Sequence, residues 1–173
     1  MPVFARTKLV LQEDCYREKP ERPYINYIGP NPAKVYEVAY QLIKDVFNAS
    51  DSDIEEENYT WSKSGDKDKF KVRWFLHKDL DVFTYLYIRF DVSGEGSEKE
   101  GKVSIVIKPV MRTEYPQDTL WQRSLFYEIL RTFWHRVFYH KKREEYAEEC
   151  RYLCSFYQQK LKEAFQKLRE QYG

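Results

Sequence analysis

At 173 residues the chain is long enough to bury a proper core without disulfide or metal staples. Its 29 Lys and Arg against 28 Asp and Glu leave a net charge of +1, which excludes a global pull toward nucleic acid or membrane. Any electrostatic partner must therefore be recognised by a local patch, and six glycines with seven prolines exclude a low-complexity or disordered chain.

The spacing predicts a first strand over 4–16, with Leu9 and Leu11 on one face. A loop carrying Pro20, Pro23 and Pro30 follows, and Tyr24–Ile28 inside it reads as a short edge strand. Asn31-Pro32 opens a helix, with Asn as N-cap and Pro at the first helical position. Val35, Ala39, Leu42, Ile43 and Val46 give that helix an apolar face ending near Asn48, and the acidic run 51–57 leads into a strand.

From about 57 to 113 the period becomes two. Strands are predicted at 58–63, 69–77, 82–92 and 102–111. Phe70, Val72, Trp74 and Leu76 face one way, while Lys69, Lys71 and Arg73 face the other. Leu86, Ile88 and Phe90 likewise oppose Tyr85, Tyr87 and Arg89. The connections are too short for crossover helices, so these strands make an antiparallel meander. Gln117-Asp118-Thr119 starts a helix rich in aromatic residues, whose narrow polar face is Ser124, Glu128, Arg131 and His135. With so little of it polar, most of that helix is expected to be buried. A second amphipathic stretch repeats Tyr146, Cys150, Leu153, Tyr157, Leu161, Ala164 and Leu168 at three- and four-residue steps.

Aromatic residues are 17% of the chain and either fill a broad sheet-to-helix interface or line a cavity. Three cysteines are an odd set and cannot form a complete disulfide framework. Cys150 and Cys154 fall on the apolar stripe, where they act as small hydrophobes rather than as metal ligands. His77, Asp79 and Asp81 offer too few ligands for a metal loop and read as a solvated turn. No phosphate-binding glycine loop and no nucleophile elbow is present, so neither catalytic residues nor a cofactor are assigned. The first residues lack an apolar signal segment and no apolar run is long enough to span a bilayer, which together predict a cytoplasmic protein.

The order of strand, helix after Asn31-Pro32, meander and Trp- and Phe-rich helix resembles the helix-grip fold of START-like and polyketide-cyclase-like proteins. The matching stretches are 7–16, 33–47, 58–111 and 120–138; the chain departs from the pattern in having fewer strands and an added terminal helix. The resemblance implies a hydrophobic cavity that binds an apolar small molecule or lipid more often than it supports catalysis.

These readings converge on one α+β domain over 1–173: a meander sheet packed against helices, helix-grip-like, with an amphipathic extension over 141–173. The leading expectation is a non-enzymatic binding protein with an aromatic-lined cavity or groove for a small hydrophobic ligand, lined by Trp74, Tyr85, Tyr87, Trp121, Phe133 and Trp134. The alternative is a protein-interaction or homodimerisation module using Tyr146, Leu153, Tyr157, Leu161 and Leu168. A third is RNA binding through Lys69, Lys71 and Arg73, where cations on a sheet face hold phosphates.

Overall fold

The computed structural model describes residues 10–16 and 23–172. Its elements are β1 (Val10–Asp14), β2 (Tyr24–Gly29), α1 (Pro32–Phe47), β3 (Ile54–Ser64), β4 (Lys67–Asp79), β5 (Thr84–Gly96), β6 (Gly101–Glu114), α2 (Leu125–Trp134) and α3 (His140–Tyr172). A π turn over His135–Tyr139 joins α2 to α3. The six strands form one antiparallel sheet in the order β1-β6-β5-β4-β3, and β2 pairs beside β1 along the outer edge of β6. The predicted meander is therefore present, and the predicted edge strand at Tyr24 is too. The first strand is seen from Val10 onward, its predicted earlier part lying outside the described residues.

Alternation decides which face is covered. Phe70, Val72, Trp74 and Leu76 on β4, with Leu86, Ile88 and Phe90 on β5, are at most 2% exposed. Val35, Ala39, Ile43 and Phe47 of α1 cover part of this surface, and α3 covers the rest. The sheet presents more apolar width than one helix can shield, so a second helix must lie beside α1 to finish the core. This places the α3 stripe inside the molecule, where the residues expected to recruit a partner pack against the chain's own core. Tyr157 and Leu161 are fully buried, Leu168 is nearly so, and Tyr146 and Leu153 pack half-buried against the same core. The Tyr157 hydroxyl donates to the Ala39 carbonyl at 3.1 Å, tying α3 to α1.

Two local expectations also change. Asn31 does not cap α1 with its side chain; it sits in the left-handed region at φ 50°, and Pro32 with its fixed φ starts the helix. Cys150 does more than pack: its sulfur is bonded to that of Cys15, joining the end of β1 to α3 across 135 residues of chain. Cys154 remains a free, buried thiol pushed up to about 12 by burial, as expected of a core cysteine. A reducing cytosol disfavours such a disulfide, so the cysteines lend the cytoplasmic expectation no support.

Candidate functional site

Two features stand apart from the core: the helix α2 and the uncovered face of the sheet. Ser124 caps α2, its hydroxyl accepting the Tyr127 N–H at 3.2 Å. The narrow polar face identified in the sequence then turns inward, opposite to expectation. Arg131 is 6% exposed and donates to Glu128 at 2.7 Å, with its guanidinium over the Tyr115 ring. His135 Nδ1 lies 2.6 Å from the Tyr115 hydroxyl, and the buried Arg143 pairs with Glu13 at 3.0 Å. Arg131 Nε and Nη1 and Arg143 Nε find no hydrogen-bond partner among the described residues. The inward side of this segment thus gathers Arg131 of α2, His135 of the π turn and Arg143 of α3, with Glu128 and Glu13 pairing the two arginines. Burial, reinforced by Arg143, pushes the His135 pKa below its ordinary value.

The outer surface of this segment is apolar. Trp121, Leu125, Phe126, Ile129, Leu130, Phe133, Trp134, Val137 and Phe138 are each between 46% and 60% exposed. At the usual areas of such side chains this is on the order of 1,000 Å² of continuous apolar surface, above the few hundred Å² common on a monomer. The π turn fits one extra residue into the helix and so rotates α3 about the helix axis by roughly 100° relative to α2. Through that rotation α3 can bury its apolar stripe although α2 exposes its own.

Asp81, at the turn between β4 and β5, anchors the joint. Its carboxylate accepts the Phe83 and Thr84 N–H groups, each at 2.8 Å, and the hydroxyls of Tyr139 and Tyr146, the latter at 2.9 Å. The Tyr139 hydroxyl also meets Thr84 at 2.6 Å. Burial opposes the charge on Asp81, but these donors outweigh it and hold its carboxyl below the usual range. Asp81 is thus part of a satisfied network rather than a merely solvated turn. Among the described residues no cluster of three or more His, Cys, Asp or Glu is placed to hold a metal ion.

The open face of the sheet differs between its two ends. At one end large side chains fill it: Phe75 stacks on Tyr87 at 5.1 Å, His77 on Tyr85 at 4.3 Å, and Arg112 covers Tyr87 at 4.5 Å. In the middle, Arg73, Arg89 and Lys108 converge on Asp91 at 2.8, 2.8 and 3.4 Å. At the other end the registers set Thr60, Lys71, Ser93, Ser104 and Asn26 in one row. The adjacent row is Ser62, Lys69, Glu95, Lys102 and Ile28. Small side chains there leave a groove of about 630 Å³ between β2 and β3.

The six aromatic residues predicted to share a cavity are not brought together. Trp74 is fully buried on the helix side, its indole N–H donating to Glu56 at 2.8 Å. Tyr85 and Tyr87 lie on the opposite sheet face, as strand alternation requires, and Trp121, Phe133 and Trp134 are outside on the α2 segment. Lys69, Lys71 and Arg73 do share one face, joined by Lys102, Arg89 and Lys108 from neighbouring strands. Sequence reasoning missed Lys102 and the three serines because only strand register gathers them; the period-two pattern of β6 was the available signal. No protein-family model, curated protein or solved structure matches this chain.

Proposed function

We propose that this protein is a non-enzymatic, peripheral membrane-binding protein that lays the apolar surface of α2 and the π turn on an anionic phospholipid bilayer. The observation that carries this reading is the inverted packing of α2, polar side in and aromatic side out. A helix whose Trp, Phe and Leu side faces outward, with cations at its margins, suits the boundary between headgroups and acyl chains. Trp121 and Trp134 stand near its two ends, where amphipathic rings favour the headgroup level.

Charge selects the bilayer over a second copy of the chain. Between residues 119 and 143 the sole acid is Glu128, already paired with Arg131. Arg123 marks one end of the apolar surface, and Arg136 and Lys141 the other. All three are exposed and form no ion pair among the described residues. Pairing α2 with its own copy, antiparallel or parallel, would set cation against cation; an anionic headgroup layer complements both ends at once. The apolar-ligand reading has less support, because Trp74, Tyr27, Tyr157, Phe47 and Phe90, each at most 1% exposed, occupy the sheet–helix interface.

Vesicle flotation tests the reading, comparing phosphatidylcholine vesicles with vesicles that also contain phosphatidylglycerol. The protein should float with the anionic vesicles and less so as salt rises. Phe133→Asp should abolish flotation while leaving the melting temperature unchanged. A monomer that ignores both vesicle types would refute the proposal. So would a dimer that Phe133→Asp dissociates but that binds no vesicle.

A further inference from the structure

The groove on the open sheet face lies at the end of the sheet remote from Asp81 and α2, and its construction is independent of theirs. On β4, β5 and β6 the registers turn eight cations to this face: Lys67, Lys69, Lys71, Arg73, Arg89, Lys102, Lys108 and Arg112. Seven carboxylates share the face across the whole sheet: Asp79, Asp91, Glu95 and Glu114 on the same strands, Glu55 and Glu57 on β3, and Asp14 on β1. The face as a whole is nearly balanced, but its cations outnumber its carboxylates at the groove end, where Lys67, Lys69, Lys71 and Lys102 face Glu95.

Within the groove the imbalance is local. Glu95 is engaged by Lys102 at 2.9 Å, and that bond holds its carboxyl below the ordinary value. Lys69 and Lys71 sit on the same floor and form no ion pair among the described residues. Ser62, Ser93 and Ser104 line the same floor beside these lysines, the Ser62 hydroxyl donating to the Lys69 carbonyl at 3.4 Å, and Asn26 lines the β2 side. Tyr24 and Ile28, 59% and 72% exposed, form an apolar rim along β2.

Side-chain size makes this concavity. Aromatic pairs fill the same face at its far end, whereas serine, threonine and asparagine leave the near end open. Those distant rings stack on one another or under Arg112, so they are not free to stack on successive bases, as a single-stranded RNA surface requires. A volume of about 630 Å³ falls within the range of small-molecule sites.

We infer that this groove is a binding site for a small phosphate-bearing ligand of about mononucleotide size. The phosphate sits between Lys69, Lys71 and Lys102 and accepts from the serine hydroxyls. The less polar part of the ligand lies against Tyr24 and Ile28. Ammonium groups act here as point charges on the phosphate, and the hydroxyls adapt their donors to its oxygens.

The test is a ¹⁵N–¹H NMR titration of the full chain at low salt with inorganic pyrophosphate, adenosine monophosphate and a short single-stranded oligouridylate. Saturable shifts at the Ser62, Ser93 and Ser104 amides are expected with pyrophosphate and with adenosine monophosphate. Affinity should fall about tenfold or more in the Lys69→Gln/Lys71→Gln variant, whose melting should be unchanged because both side chains leave the core untouched. Ser93→Phe, which fills the groove without removing charge, should abolish binding of adenosine monophosphate. Absence of saturable shifts with both small anions would overturn the proposal. So would unchanged affinity in the double lysine variant, or binding of the oligonucleotide alone. None of these results bears on vesicle flotation, so the groove and the membrane surface fail separately.

Discussion

α2 and α3 are two stretches of nearly continuous helix with opposite relations to the same body. α3 is the more polar in composition yet buries its stripe, whereas the more apolar α2 keeps its aromatic residues outside and turns Arg131 inward. The contrast teaches that amphipathicity fixes how a helix is divided but not which side meets the protein. That choice belongs to what lies opposite. α3 faces the apolar trough beside α1, while α2 sets Arg131 over Tyr115, and the π turn and the first turns of α3 make the contacts to Asp81 and Glu13.

The largest expected effect tests how α3 is held. Reducing the Cys15–Cys150 bond, or changing Cys15→Ser, frees a loop of 135 residues and should lower stability by about 2–5 kcal/mol. The shift in urea midpoint between oxidised and reduced protein measures it, and equal midpoints would show that the bond is not formed in solution. Next, Leu161→Ala should cost about 2–5 kcal/mol through a core cavity, against less than about 0.5 kcal/mol for Ile129→Ala on α2. Equal costs would mean that the α2 surface is covered in the free protein and would erase the contrast.

A smaller loss is expected at the joint. Asp81→Asn weakens the acceptor shared by Tyr139, Tyr146 and two backbone N–H groups and should cost about 2 kcal/mol at neutral pH. Because the folded carboxyl is held below its ordinary value, this contribution is present above about pH 4 and is lost as pH falls through the folded pKa. Urea midpoints of wild type and Asp81→Asn should therefore converge on acidification. The smallest effect is at His135, whose folded pKa is depressed, so the unfolded chain takes up the proton first. Stability should decline as pH falls below about 6.5 and level off beneath the folded pKa. His135→Gln should remove that step, and a step that persists in the variant would place its origin elsewhere.

Much of the fold could be read from residue order. Strict alternation in β4, β5 and β6 identified the meander and the face that carries Phe70, Val72 and Trp74, because each strand residue has only two directions available. The helix over 32–47 and its end at Asn48 were equally legible from Pro32 and the apolar spacing. The candidate sites were legible only in fragments. Lys69, Lys71 and Arg73 were picked out along one strand, and Trp121, Phe133 and Trp134 along one helix, but no periodicity states which rings share a space.

The secondary elements, the two faces of the meander and the division of each helix into polar and apolar sides follow from residue order alone, because these arise from local geometry with periods of 2.0 and 3.6. Only packing at long range sets which side of each helix faces inward, brings Cys15 to Cys150, and gathers Lys102 and three serines beside Lys69 and Lys71. Those outcomes depend on register between strands and on the roughly 100° turn introduced at 135–139, and both are set by competition among distant surfaces for a limited core.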